Sequence, residues 1–223
     1  MTNLSAYLKS SIGKKQIVAA TGLMLILFVL GHLAGNLLIY LGPEAFNNYA
    51  KKLASLRPGL YFIEIGLFLV FLTHIYLTAL IVLENVRARS IRYQVYGDSK
   101  KRSLATRLMP FTGTYILGFV IWHLLDFTFI DKHGPRAILP DGNDYGLYGV
   151  VFNAFADPIH SLFYIIAMMC LGLHLAHGIY SFAQTFGFNQ SLAKKISGSV
   201  ALFISVAYSS IPVYVYFVYQ SMR

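Results

Sequence analysis

Cysteine is almost missing from this chain of 223 residues: there is one, Cys170, inside an apolar run. A single thiol excludes a disulfide, a CxxC motif, a CxxCH attachment for covalent haem and cysteine-held iron–sulfur clusters. Cys170 therefore reads as a small packing residue. Charge is scarce as well. Charged residues make up 12% of the chain, against roughly 25% in soluble domains. No nucleotide-binding glycine motif, internal repeat or low-complexity segment is evident. These gaps exclude a large soluble core.

What is present is apolar. Hydrophobic residues are 57% of the chain and mean hydropathy is +0.59. This composition predicts an all-α, polytopic membrane protein. Five runs are long enough to cross a bilayer, at about 17–41, 60–86, 108–130, 157–186 and 196–219. The first is too long for a leader's apolar core and no small-residue cleavage site follows it, so it is expected to be a retained span.

The connections carry the polar residues. Residues 1–16 are basic, with Tyr7 and Leu8 placed for a short interfacial helix. Gly42-Pro43 ends the first run. In 44–56, Phe46, Tyr49, Ala50, Leu53 and Leu56 recur every three to four residues around Lys51 and Lys52, which predicts an amphipathic surface helix. The connector at 87–107 is basic. The stretch at 131–156 is rich in Gly, Pro, Asp and Asn and predicts an extramembrane loop.

Lys and Arg number 18 against nine acids, a net charge of +9. They fall between the apolar runs, where topology places them, so no nucleic-acid partner is expected. The amino terminus, the 87–107 connector and the 187–195 turn hold 12 of the 18. The positive-inside rule then puts the amino terminus in the cytoplasm.

Ionisable rings inside apolar runs are costly and usually face a bundle interior with a partner. Four spans carry one each at comparable depth: His32, His74, His123 and His174. At about 1.5 Å per residue, His32 and His123 lie roughly 25 Å from the inner anchors Lys15 and Arg107. His74 and His174 lie roughly 25 Å from the outer anchors Arg57 and Asp157. Two levels of two imidazoles predict two bis-histidine haems, His32 with His123 near the outer face and His74 with His174 near the inner one. Two axial imidazoles leave no open iron position, so such haems carry electrons. His177 lies one turn beyond His174 and matches His74 less well in depth. His133 is expected in a loop, and His160 at the interface.

Two other classes compete. Histidines in membrane helices also serve as hydrogen-bonded packing residues in a purely structural anchor, or line a transporter or proton channel. Transporter folds favour repeats and broken mid-membrane helices. The five spans are expected to be unbroken, without mid-span proline.

Several motifs carry a resemblance over nearly the whole chain: Gly31-His32-Leu33, Gly42-Pro43-Glu44-Ala45-Phe46-Asn47, Trp122-His123, and Leu173-His174 followed by Gly178-Ile179-Tyr180-Ser181-Phe182-Ala183 and Phe186-Gly187. With these the chain resembles the two-haem cytochrome b membrane anchor (cytochrome b558 type) of succinate:quinone oxidoreductases and quinol:fumarate reductases. The resemblance implies one transmembrane cytochrome b domain over 1–223, with five helices around two b haems. It implies that His32, His74, His123 and His174 are the axial iron ligands and that His177 is not. It also implies a multi-pass protein of a prokaryotic cytoplasmic membrane.

In such a complex the anchor docks an iron–sulfur subunit and a flavoprotein on the cytoplasmic side. FAD and the iron–sulfur clusters belong to those partners, which perform the dicarboxylate chemistry. Electrons from succinate pass through the haems to a quinone, usually menaquinone; the fumarate-reducing direction reverses the flow. Some fumarate reductases of the family carry a glutamate two residues before the last ligand for proton return. Gly172 stands at that position here. A di-haem anchor of a hydrogenase or formate dehydrogenase is a rival within the redox class.

Reducing a quinone takes two protons and a polar group to position its carbonyls. Glu64, Asp126 and Glu44 are the candidates near the outer level, with Asp126 one turn beyond His123. Each could equally cap a helix or face interfacial water. Arg107, Lys14, Lys15, Tyr180 and Ser181 are candidates for the inner haem's propionates.

Overall fold

A computed structural model of the chain describes residues 3–88 and 104–222. Most of the expected basic connector, including Arg89, Arg92, Lys100, Lys101 and Arg102, lies outside the described residues. The described residues form eight α-helices: α1 Leu4–Lys9, α2 Ser11–Asn36, α3 Pro43–Ser55, α4 Gly59–Arg87, α5 Leu104–Phe127, α6 Gly146–Phe155, α7 Pro158–Thr185 and α8 Gln190–Ser221. Five of them (α2 with its 3-10 extension to Leu41, α4, α5, α7 and α8) are long and apolar enough to cross a membrane. Among the described residues there is no strand, only an isolated bridge between Ile138 and Asp144.

Local chemistry sets the helix ends. Ser10 caps α2 by accepting from the Gly13 N–H at 3.1 Å. Asp157 caps α7 by accepting from Ile159, with Pro158 in the first turn. Asn189 caps α8 by accepting from both Ser191 and Leu192. Each side chain satisfies amides that the first turn leaves without partners. Gly42, at φ +94°, turns the chain from the first span into α3, which starts on Pro43.

The spans pack in a definite order. α7 lies along α8 and against α5; α2 packs against α4 and α7. α4 leans chiefly on α2 and has no buried residue. Leu33, Leu175, Ala201 and Ile204 form an apolar core among α2, α7 and α8. Polar threads reinforce it: Tyr208 donates to the Val29 carbonyl at 2.8 Å, and Ser205 to the Met168 carbonyl at 2.9 Å. Lys14 pairs with Glu84 and ties the inner ends of α2 and α4 together. Inner and outer keep the sense of the charge argument above.

Two expectations need correction. The 131–156 connection is not loop throughout. Residues 146–155 form α6, and its Tyr148, Val150, Phe152 and Phe155 belong to or border the outer core with Ile39, Phe46, Leu139 and Val215. The turn residues at its start hid an apolar decapeptide behind them. Nor is every span free of an interior proline: Pro212 lies well inside α8, where it is buried, whereas Pro110 stands near the start of the α5 span. Both helices continue through their prolines. The missing N–H at Pro212 leaves the Tyr208 carbonyl without its usual donor, a cost that membrane helices tolerate when neighbouring helices enclose them.

Asn47 joins the outer elements. Its side-chain amide donates to the Tyr145 carbonyl at 2.8 Å and its oxygen accepts from the Tyr148 N–H at 3.1 Å. The α3 residue thereby holds the first turn of α6.

Candidate functional site

The first histidine pair spans α2 and α5. The ring centroids of His32 and His123 lie 5.7 Å apart with planes at 85°. Aromatic rings hold both imidazoles. Phe28 stacks on His32 at 5.4 Å and Tyr208 approaches at 6.3 Å. Phe119, Phe127 and Tyr164 surround His123 at 5.4–6.2 Å. Nδ1 of His123 is buried without a hydrogen-bond partner. α2 and α5 are not a closely packed pair, so the two rings reach across a gap between backbones.

The second pair lies on α4 and α7. Nδ1 of His74 is 3.1 Å from Thr21 Oγ1 on α2. Nδ1 of His174 makes a longer contact, 3.4 Å, with Thr112 Oγ1 on α5. Each threonine spends its single hydroxyl proton on its own helix: Thr21 donates to the Ile17 carbonyl at 2.8 Å and Thr112 to that of Met109 at 3.1 Å. With its proton held by the helix, a hydroxyl accepts from the imidazole; the tautomer that matches carries the ring proton on Nδ1 and the lone pair on Nε2. Glycine follows in both places. A Cβ on Gly22 would lie 3.3 Å from His74 Cε1, and one on Gly113 would lie 3.4 Å from His174 Cε1. His74 and His177 both lie within electrostatic reach of His174. α4 and α7 are likewise not a closely packed pair.

The three candidate carboxylates separate. Asp126 sits one turn beyond His123, 17% exposed, and accepts from the Tyr164 hydroxyl at 2.7 Å. His160 Nε2 is 3.2 Å from the same oxygen, within ion-pairing distance but out of line for a hydrogen bond. Tyr164 stacks on His160 with centroids 4.9 Å apart. His160 does start a span, but its ring turns into the bundle and does not face the interface. Glu64 is exposed and paired with Arg57 at 3.1 Å, whose guanidinium covers Tyr61. Glu44 borders an open outer cavity of about 570 Å³ shared with Asn47, Lys51, Lys132 and Asp144. Only Asp126 among the three joins the aromatic shell of His123.

Of the candidate propionate partners, Lys14 is committed to Glu84, while Lys15 and Arg107 are exposed. Tyr180 and Ser181 are half-buried near the inner end of α7. His133 is an exposed loop residue, 3.8 Å from Asp144.

The chain is 30% identical over 184 residues to the succinate dehydrogenase cytochrome b558 subunit of Bacillus subtilis (strain 168), which covers 82% of this chain and 84% of that protein. The chain belongs to the succinate dehydrogenase cytochrome b558 subunit family. No family model matches it. No solved structure matches it.

For a cytochrome b of this family, the donor set fits haem. Neutral imidazoles are the nitrogen ligands of b-type haem iron, and each inner ring has Nδ1 against a threonine hydroxyl, the arrangement that suits ligation through Nε2. The rings of each pair sit on helices held apart, and Gly31 and Gly118, beside the outer pair, have nothing within 4 Å of where a Cβ would project. The outer rings are enclosed by aromatic faces suited to a flat macrocycle. Sequence reasoning missed Thr21, Thr112, Tyr164 and the inward turn of His160. A signal for the threonines existed. Thr-Gly occurs twice in the chain, at Thr21-Gly22 and Thr112-Gly113, each time eleven residues before a histidine.

Proposed function

We propose that this chain is the membrane-anchor cytochrome b subunit of a succinate:menaquinone oxidoreductase and passes electrons from the iron–sulfur subunit to quinone in the bilayer. Family membership supports the anchor role and the partnership with the other subunits of a succinate dehydrogenase complex. The five apolar helices make it a multi-pass membrane protein. In this proposal the membrane is the prokaryotic cytoplasmic membrane, the amino terminus is cytoplasmic, and the iron–sulfur and flavoprotein subunits dock on that side.

Two haem b groups complete the reading. His32 and His123 hold the outer one, His74 and His174 the inner one. Bound there, haem b supplies single-electron chemistry with no iron position left for a substrate. The observation that carries this reading is the meeting of His32 and His123, whose rings face each other at 5.7 Å from helices that are not closely packed. An electron path across the bilayer also couples turnover to the membrane potential, at about 2.3 kcal/mol per charge per 100 mV.

The quinone gains two electrons and two protons, one proton on each carbonyl oxygen. Asp126 stands where the outer pair meets the outer aqueous side. Its carboxylate relays a proton to the quinone, with His160 at 3.2 Å as exchange partner toward water and Tyr164 fixing the carboxylate's orientation. Glu64, paired with Arg57 on the exposed edge, takes no part in this arrangement.

The succinate-oxidising direction is favoured at Gly172. A Cβ there would already lie 2.9 Å from Ser205 Cβ, so the proton-returning glutamate of some fumarate reductases has no room. The decisive experiment is a reduced-minus-oxidised spectrum of the complex and of four variants. Wild type is expected to carry two low-spin b haems per anchor, and H32A, H74A, H123A and H174A one each. Four variants that all retain both haems would sink the ligand assignment.

A further inference from the structure

α2 and α5 share an arrangement that neither composition nor hydropathy reveals. Each carries Thr-Gly and, eleven residues later, the histidine of the outer pair. Eleven residues make about three helical turns, so both features lie on one helix face, about 16 Å apart along the axis. Each helix packs closely against the span that carries an inner histidine, α2 against α4 and α5 against α7. In both places the threonine hydroxyl meets Nδ1 of that histidine. In both places the glycine Cα lies under Cε1, at Cβ-equivalent distances of 3.3 and 3.4 Å.

We infer that Thr21-Gly22 and Thr112-Gly113 are one positioning device used twice, which fixes the proton of both inner imidazoles on Nδ1 and presents both Nε2 atoms inward. The inference rests on the proposed assignment of His74 and His174 as axial ligands. The hydroxyl works because its own proton is spent on the helix carbonyl four or three residues back, so it serves only as acceptor. An acceptor on the distal nitrogen fixes a ligating imidazole's tautomer and orientation and raises its basicity. The glycine brings the backbone close to the ring: a Cβ would crowd Cε1 at Gly22, at 3.3 Å, and would just touch it at Gly113, at 3.4 Å. His123 of the outer pair lacks this device: its Nδ1 is buried with no hydrogen-bond partner among the described residues. The two haem levels are thus held by unlike ligands. The inner imidazoles are both polarised by a hydroxyl, whereas His123 is held by aromatic packing alone.

The test uses the assembled complex in native membranes, with T21V, T112V and the doubly substituted variant. Valine keeps the threonine's shape and removes the acceptor. T21S and T112S keep the hydroxyl and serve as rescue. Readouts are the redox titration and the low-temperature electron paramagnetic resonance of the two low-spin ferric signals. Haem occupancy under limiting haem supply is read alongside. The valine variants are expected to move the signal and raise the midpoint potential of the inner haem only, and to weaken its retention roughly tenfold. The serine variants restore both. H74A and H174A, run in parallel, identify the inner signal by its loss. If they retain both haems, the ligand assignment fails, whatever the threonines do. If they lose the inner haem while the valine variants leave its signal and potential unmoved, the positioning device is refuted. Equal shifts at both haems also refute it. Should a valine variant not assemble, G22A and G113A press on the same rings from the other side and are expected to shift the same signal.

Discussion

The hydroxyl of Tyr164 donates to Asp126 at 2.7 Å, one turn beyond the imidazole of His123. Tyr164 is 5% exposed, so this bond satisfies a hydroxyl that would otherwise lie buried and unpaired. Replacing Asp126 by Asn keeps an acceptor for Tyr164 and removes the proton carrier. D126N is expected to slow succinate-driven reduction of a short-chain naphthoquinone by about 100-fold, the lower range for a positioned acid or base. Succinate-driven reduction of a soluble dye that accepts from the partner subunits is expected to stay at the wild-type rate. Equal loss in both assays would place the defect in assembly, and unchanged quinone reduction would remove Asp126 from the chemistry. E64Q, at the exposed pair with Arg57, serves as the comparison and is expected to retain wild-type quinone reduction.

Gly172 lies at the contact between α7 and α8. Its Cα faces Ser205, whose hydroxyl donates to the Met168 carbonyl and holds α8 on α7. G172A adds a methyl group into that contact and is expected to cost about 1–3 kcal/mol. Thermal loss of haem absorbance in detergent would report it. G172E is expected to prevent α8 from seating and to abolish accumulation of the anchor in the membrane. A G172E protein that accumulates with full haem would show that α8 can move away from α7 at little cost.

Asn47 makes two hydrogen bonds to the start of α6, one to a carbonyl and one to an amide. N47A leaves both backbone groups without these partners, a loss of about 1–3 kcal/mol. The effect is expected at the outer end only. Protease sensitivity between residues 131 and 146 should rise while both haem signals persist. N47D keeps the acceptor toward Tyr148 and loses the donor toward Tyr145, so it is expected to fall between the two.

The 141–146 turn has its own pH dependence. The Tyr145 hydroxyl, then the side chain and backbone of Asn143, donate to Asp141 and hold its carboxyl below the usual range. A lowered folded-state value means that the turn gains stability above the unfolded value of about 3.9 and loses it as pH falls through the folded one. Protection of the Asn143 amide, taken relative to its intrinsic exchange rate, is expected to hold at pH 5 and to fall below about 3.9. In D141N that loss of protection should be present at neutral pH.

Much of this could be read from the chain alone, for physical reasons. Span number and position followed from apolar length, and the end of the first span followed from Gly42-Pro43. The histidines stood out because an ionisable ring in an apolar run needs a partner. The Gly42-to-Asn47 motif was legible as a turn and a surface helix, but the reach of Asn47 to α6 was not, because it joins residues about a hundred positions apart. α6 itself was hidden because turn-forming residues precede a short apolar segment that no length criterion selects. Thr21 and Thr112 were overlooked because a threonine in a membrane helix usually bonds its own backbone. These two do so as well, and only the fold reveals the second bond. Asp126 and Glu64 looked alike in sequence, since both sit near span ends. Burial beside Tyr164 and His160 separates one from the other, whose carboxylate meets Arg57 in the open.

α4 touches the bundle mainly along one flank and buries none of its residues, yet it carries His74 near the helix midpoint. Such a rod gains little grip from its neighbours, so whatever its imidazole clasps becomes its second wall. If His74 ligates haem as proposed, an anchor without its cofactor is expected to hold α4 loosely, and limited proteolysis of haem-depleted membranes should attack α4 before the other spans.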